Sequence, residues 1–107
     1  MTYTYRRVLA SVGDVIVQQM GGANRLRAML NADIREIPQG VWIRFPNRQR
    51  SKGNLVEIKL QPDDTYEVTF YNEGRLAERK QVKQVDGVYA DQLVGLFERQ
   101  TGLYLRI

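Results

Sequence analysis

Apolar positions change their spacing twice along this chain. They first fall at Val8, Leu9, Val12, Val15, Ile16 and Met20, steps of three and four that share one helical face. Gly21-Gly22 ends that helix, as glycine does at C-caps. Asn24 predicts the N-cap of a second, short helix with Leu26, Met29 and Leu30 on its buried side. After Ala32 the period becomes two. Val41, Ile43 and Phe45 alternate with Trp42 and Arg44, Val56, Ile58 and Leu60 with Glu57 and Lys59, and Tyr66, Val68 and Phe70 with Glu67 and Thr69. Each set predicts an antiparallel strand with one buried face. Gln61-Pro62-Asp63-Asp64 reads as a tight turn, and Asn72-Glu73-Gly74-Arg75 as a second one. A weaker strand is expected over residues 76–85. Asp86-Gly87 then opens a segment in which Ala90, Leu93, Val94, Leu96 and Phe97 stripe a helix ending at Thr101-Gly102. Leu103, Leu105 and Ile107 alternate with Tyr104 and Arg106, as a short last strand or a packed tail.

The order predicts an α+β fold: an N-terminal helical pair, an antiparallel β-meander of about four strands and a C-terminal helix packed on one face. With 107 residues and no linker, repeat or low-complexity segment, one domain over residues 1–107 is expected. The chain is 43% hydrophobic and 26% charged, as soluble globular proteins are. It has no apolar run of about 18 residues, so no membrane span is expected. The apolar stretch over residues 8–17 follows Arg6-Arg7, as a signal peptide's would, but it contains Asp14 and lacks a small-residue cleavage site.

Cysteine and histidine are both absent. That removes disulfides, thiolate nucleophiles, zinc and iron–sulfur sites, Ser-His-Asp triads and imidazole ligands. Only carboxylates, Lys, Tyr and Ser remain for catalysis, so composition favours a binding protein over an enzyme and calls for no cofactor. The best cluster for metal chemistry is Asp63, Asp64 and Glu67, whose spacing suits Mg2+ or Ca2+. The structural reading is stronger: aspartates after Pro62 fit a turn, and Glu67 fits a cross-strand pair with Lys59. Asp86, Tyr89 and Asp91 read in the same way as a helix-start cluster.

A net charge of +4 directs attention to cations. Arg44, Arg48, Arg50 and Lys52 fall within nine residues, interleaved with Asn47, Gln49, Ser51, Gly53 and Asn54 and without an acid. Such a loop offers donors to phosphate oxygens; the alternative is a solvated hairpin loop. A second group, Arg75, Arg79, Lys80 and Lys83, is diluted by Glu73 and Glu78. Arg79 and Lys83 share strand parity and would support the first group, or mark a charged edge strand that resists aggregation. Trp42 and Tyr71 lie on the outward parity, where a ring beside arginines stacks on bases; alternatively Trp42 packs under a helix. Tyr3 and Tyr5 lie beside Arg6 and Arg7. The leading helices also carry Arg25 and Arg27 where a helix-turn-helix would start its recognition helix, although a helical pair packed on the sheet suits so short a second helix better.

The motifs Gln18-Gln19-Met20-Gly21-Gly22, Asp86-Gly87-Val88-Tyr89-Ala90-Asp91-Gln92-Leu93 and Thr101-Gly102-Leu103-Tyr104 together resemble a family of small phage and mobile-element proteins. Arg44-Phe45-Pro46-Asn47-Arg48, Pro62-Asp63 and Tyr66-Glu67-Val68-Thr69-Phe70 match the layout of that family's middle, so the resemblance spans residues 18–104. Residues 23–31 depart from it, with an inserted-looking Ala23. The resemblance carries no catalytic residue. It implies an accessory protein acting in the bacterial host cytoplasm on nucleic acid or on a host protein. Two partners are therefore expected as alternatives. One is nucleic acid, held with low sequence specificity by Arg44, Arg48, Arg50 and Lys52 with Arg79, Lys83 and Trp42 in support. The other is a host protein, with the chain acting as an inhibitor of a host defence system and the basic loop meeting an acidic surface.

Overall fold

The computed structural model describes residues 11–105. Two helices, α1 (Val12–Gln19) and α2 (Ala23–Leu30), lead into strands β1 (Asp33–Ile37), β2 (Gly40–Arg44), β3 (Leu55–Leu60), β4 (Tyr66–Glu73) and β5 (Arg79–Val88), and helix α3 (Leu93–Thr101) follows. Short 3-10 turns occupy Arg50–Lys52 and Ala90–Gln92. The strands form one antiparallel sheet in the order β1-β2-β3-β4-β5, a meander. The α+β class and the helix–meander–helix order agree with the pattern read from the sequence, with five strands instead of about four.

Ser11 starts α1 with a capping box: its hydroxyl accepts from the Asp14 amide at 3.1 Å, and the Asp14 carboxylate accepts from the Ser11 amide. The expected positions Val8 and Leu9 lie outside the described residues. Helix α2 begins two residues earlier than expected, with Gly22 (φ 94°) as its N-cap and Asn24 inside its first turn. Leu26 and Leu30 are buried as expected, but Met29 is exposed.

Ile16, Val17, Met20 and Leu26 join Val41, Ile43, Phe45, Val56, Ile58, Tyr66, Val68, Phe70, Leu93 and Phe97 in one core. The helices therefore cover the sheet face that period two assigned to burial. Phe97 meets Phe45 edge-on at 5.0 Å between centroids. The Tyr66 hydroxyl donates to Gln19 Oε1 at 2.7 Å, fastening α1 to β4. A Cβ on Gly13 would lie 2.9 Å from the Gly40 carbonyl oxygen, and one on Gly40 2.1 Å from that of Ile58. Helix α1 can rest on the start of β2 because Gly13 lacks a side chain, and the missing side chain of Gly40 lets β2 lie close to β3.

Strand β1 was not foreseen. Ile34 and Ile37 are three apart, so its apolar positions do not alternate. It forms because its backbone pairs with β2 from Asp33↔Arg44 to Ile37↔Gly40. The fourth expected strand lies three residues later than 76–85. Asn72 and Glu73 continue β4, and the turn falls at 74–78, where the Gly74 amide donates to the Glu78 carbonyl at 2.9 Å. Leu76 sits there, 89% exposed. At the other end Asp86 and Gly87 belong to β5 and do not open the helix. The Tyr89 amide donates to Gln92 Oε1 at 2.9 Å instead, and the 3-10 turn leads into α3. Helix α3 stops at Gly102 (φ 76°), as expected. Leu105 is a packed residue of the tail: it is buried, and its amide donates to the buried Glu98 carboxylate at 2.8 Å. Ile107 and Arg106 lie outside the described residues. Among the described residues, no helix is long and apolar enough to cross a membrane.

Candidate nucleic-acid interface

Trp42, Arg44, Leu55, Glu57, Thr69, Tyr71 and Glu73 carry the opposite parity to the core residues of their strands, so they line the sheet face away from the helices. Register then brings distant residues together. Arg44 pairs with Asp33 and Leu55, Leu55 with Tyr71, and Glu73 with Arg79. Leu55 is fully buried on this side, outside the main core.

Glu73 organises one corner of the face. Its side chain is 7% exposed and accepts from two guanidinium groups: Arg44 Nε on Oε1, and Arg79 Nε on Oε2 at 3.0 Å. Arg44 also donates through Nη1 to Asp33 at 3.1 Å. Both guanidinium groups lie over Trp42, their central carbons 4.7 Å (Arg44) and 5.5 Å (Arg79) from the ring centroid. The hydrogen bond from Arg44, with that from Arg79 behind it, holds the Glu73 carboxyl below the usual 4.5 against the opposing effect of burial. Reciprocally, the hydrogen bond to Glu73 raises the Arg44 guanidinium above its ordinary value, with Asp33 adding to it. Trp42 is half-buried and lies on the side of the sheet away from the described helices.

The basic loop is held in place at this corner. Asn54 exchanges two hydrogen bonds with the Glu73 backbone, at 3.0 and 2.8 Å. The Asn47 amide donates to the carbonyls of Gly53 at 2.9 Å and Thr101 at 3.2 Å, and Gln100 donates to that of Lys52 at 3.2 Å. The loop is thereby clamped to the C-terminal end of α3, where the helix dipole favours the Lys52 charge. Arg48, Arg50 and Lys52 are exposed, and none has a carboxylate partner among the described residues. Arg50 connects loop and corner: its Nη2 donates to the Glu73 carbonyl at 3.1 Å.

Of the expected residues, Trp42, Arg44, Arg50 and Arg79 come together, and Arg48 and Lys52 flank them on the loop. Lys83 does not join them. Two register irregularities interrupt β5, one between Gln81 and Lys83, so Lys83 faces Phe70 on the helix side while Arg79 faces Glu73. The shared parity expected of Arg79 and Lys83 is lost to that bulge. Lys80, opposite Asn72, also lies on the helix-side parity. Arg25 and Arg27 are exposed on α2, which is anchored to the core by Leu26 and Leu30. Tyr3, Tyr5, Arg6 and Arg7 lie outside the described residues.

Asp63 is occupied by its turn: it accepts from the Thr65 hydroxyl at 2.7 Å and amide at 3.1 Å, which holds its carboxyl below the usual 3.8. Lys59 stands opposite Glu67 as expected, but its ion pair is with Glu57 at 3.7 Å. Asp86 lies in β5 and Asp91 in the 3-10 turn, so the expected helix-start cluster is divided between two elements.

The sequence reading missed Glu73, which it placed in a turn. Carrying the alternation of Tyr66, Val68 and Phe70 onward would have set Tyr71 and Glu73 on the face of Trp42. No protein-family model, curated protein or solved structure matches this chain.

Proposed function

We propose that this chain is a non-enzymatic accessory protein, of the phage or mobile-element kind its motifs resemble, that binds nucleic acid through backbone phosphates with low sequence specificity. The observation that carries this reading is the continuity of the basic loop with the Glu73 corner of the outward sheet face. Exposed Arg48, Arg50 and Lys52 lack carboxylate partners among the described residues, and Arg50 is bonded to the Glu73 corner where Arg44, Arg79 and Trp42 gather. Phosphate oxygens take guanidinium and amide donors of this kind, and contacts with the backbone carry no base information. Binding should therefore weaken steeply with salt.

Fluorescence anisotropy against labelled single- and double-stranded DNA and RNA, at about 50 and 200 mM salt, tests this directly. A double charge reversal, Arg48→Glu with Arg50→Glu, is measured beside the wild type. Salt-sensitive binding that the variant loses supports the reading and locates the surface. No binding to any of the four at low salt overturns it in favour of a host-protein partner for the same surface.

A further inference from the structure

Three arginines converge on Glu73, and they use little of their donor capacity there. Arg79 spends only its Nε on the carboxylate, leaving both terminal nitrogens unbonded among the described residues. Arg44 spends Nε on Glu73 and Nη1 on Asp33, leaving Nη2. Arg50 spends Nη2 on the Glu73 carbonyl, leaving Nε and Nη1. Glu73 offsets only one of the three charges, and Asp33 is shared between Arg44 and Arg35. Bonds through Nε hold Arg44 and Arg79 in place before any ligand arrives, which lowers the ordering cost of binding. Fully buried Leu55, the cross-strand neighbour of Arg44, and half-buried Trp42 put low-dielectric material beside them.

We propose that this corner is a seat for one phosphate group, bound by the unused donors of Arg44, Arg50 and Arg79, with Glu73 as the positioning residue behind them. The inference rests on the nucleic-acid reading for its natural occupant, a phosphodiester of a bound strand. It differs from that reading in placing one phosphate at a preformed site, where the loop alone would provide diffuse attraction.

Trp42 is the sole tryptophan and lies against Arg44 and Arg79, so its emission reports on this corner. The experiment follows Trp42 emission and label anisotropy in parallel during titration with a short single-stranded oligothymidylate, and Trp42 emission alone during titration with pyrophosphate. Wild type, Arg79→Gln and Arg50→Gln are compared. The expected result is a Trp42 change that tracks the anisotropy. Each variant should bind about ten- to a hundredfold more weakly, as for loss of one charge-assisted hydrogen bond. The slope of log affinity on log salt should fall by about 0.7 per variant. Anisotropy that rises with Trp42 silent and both variants unchanged overturns the seat and leaves the nucleic-acid reading standing. If no oligonucleotide binds, that reading fails and pyrophosphate decides the seat: a saturable Trp42 change lost in Arg79→Gln upholds it, and no change overturns it. Should Arg79→Gln lose its fold by circular dichroism, Arg50→Gln carries the test, because that side chain is exposed and bonds only to a carbonyl.

Discussion

On one face of the sheet Val41, Ile43, Val56, Ile58, Val68 and Phe70 are buried beneath three helices. On the other, the same strands present Trp42, Arg44, Leu55, Tyr71 and Glu73, and the ordered contacts are ion pairs and guanidinium–ring contacts. The first face is non-directional: each side chain gains by leaving water, whichever neighbour it meets. The second is directional, because Glu73 is satisfied only if Arg44 and Arg79 arrive at its two oxygens. Stability therefore concentrates beneath the helices and chemical capacity on the outward side.

The largest expected effect tests the covered face. Phe97→Ala removes a ring that is 2% exposed and packed on Phe45 and Phe70, and should cost about 3–5 kcal/mol in urea unfolding. A cost below about 1 kcal/mol would place the stabilising core elsewhere. Glu73→Gln attacks the outward face. It leaves two half-exposed arginines without their carboxylate and should cost about 1–3 kcal/mol; a neutral result would mean the corner is solvated ornament and not a fixed structure.

Acid sharpens the same contrast. The Glu73 carboxyl titrates below 4.5 in the folded protein, held there first by Arg44. Between the folded and unfolded values the unfolded chain binds the extra proton, so the corner's contribution is complete above about 4.5 and is lost as pH falls through the folded value. Unfolding of wild type and Glu73→Gln between about pH 5 and pH 2 should show the two stabilities converging as pH falls. Parallel curves would remove Glu73 from the acid response. The smallest effect belongs to Arg48→Glu. That exposed side chain should change stability by no more than about 0.5 kcal/mol while weakening nucleic-acid binding; a loss of stability without a loss of binding would reverse its assignment from contact to structure.

The covered face was legible because burial leaves a period. Ile43, Val56, Val68 and Phe70 announce their face by alternation alone, and Leu93 and Phe97 by helical spacing. Strand β1 left no such signal, since Ile34 and Ile37 do not alternate and its pairing is made by backbone groups that every sequence carries. The site was legible in its parts. Arg44, Arg48, Arg50 and Trp42 stand close together in sequence, and parity placed Trp42 outward. Their relation to Glu73 and Arg79 was not, because it depends on register between β2, β3, β4 and β5, and a bulge in β5 separated Lys83 from Arg79.

By itself, then, the chain's pattern determined the α+β class, the identity of most core residues, the outward parity of Trp42 and the basic character of the loop, all of which follow from local spacing and composition. Tertiary structure alone decided that Glu73 gathers Arg44, Arg50 and Arg79 at one corner, that Asn47 ties the basic loop to the end of α3, and that Lys83 lies across the sheet from the rest. The physical reason is range. Burial acts on each residue through its own solvation, whereas ion pairs and hydrogen bonds act between residues whose meeting is set by strand register, and one inserted residue in a strand reverses every face beyond it.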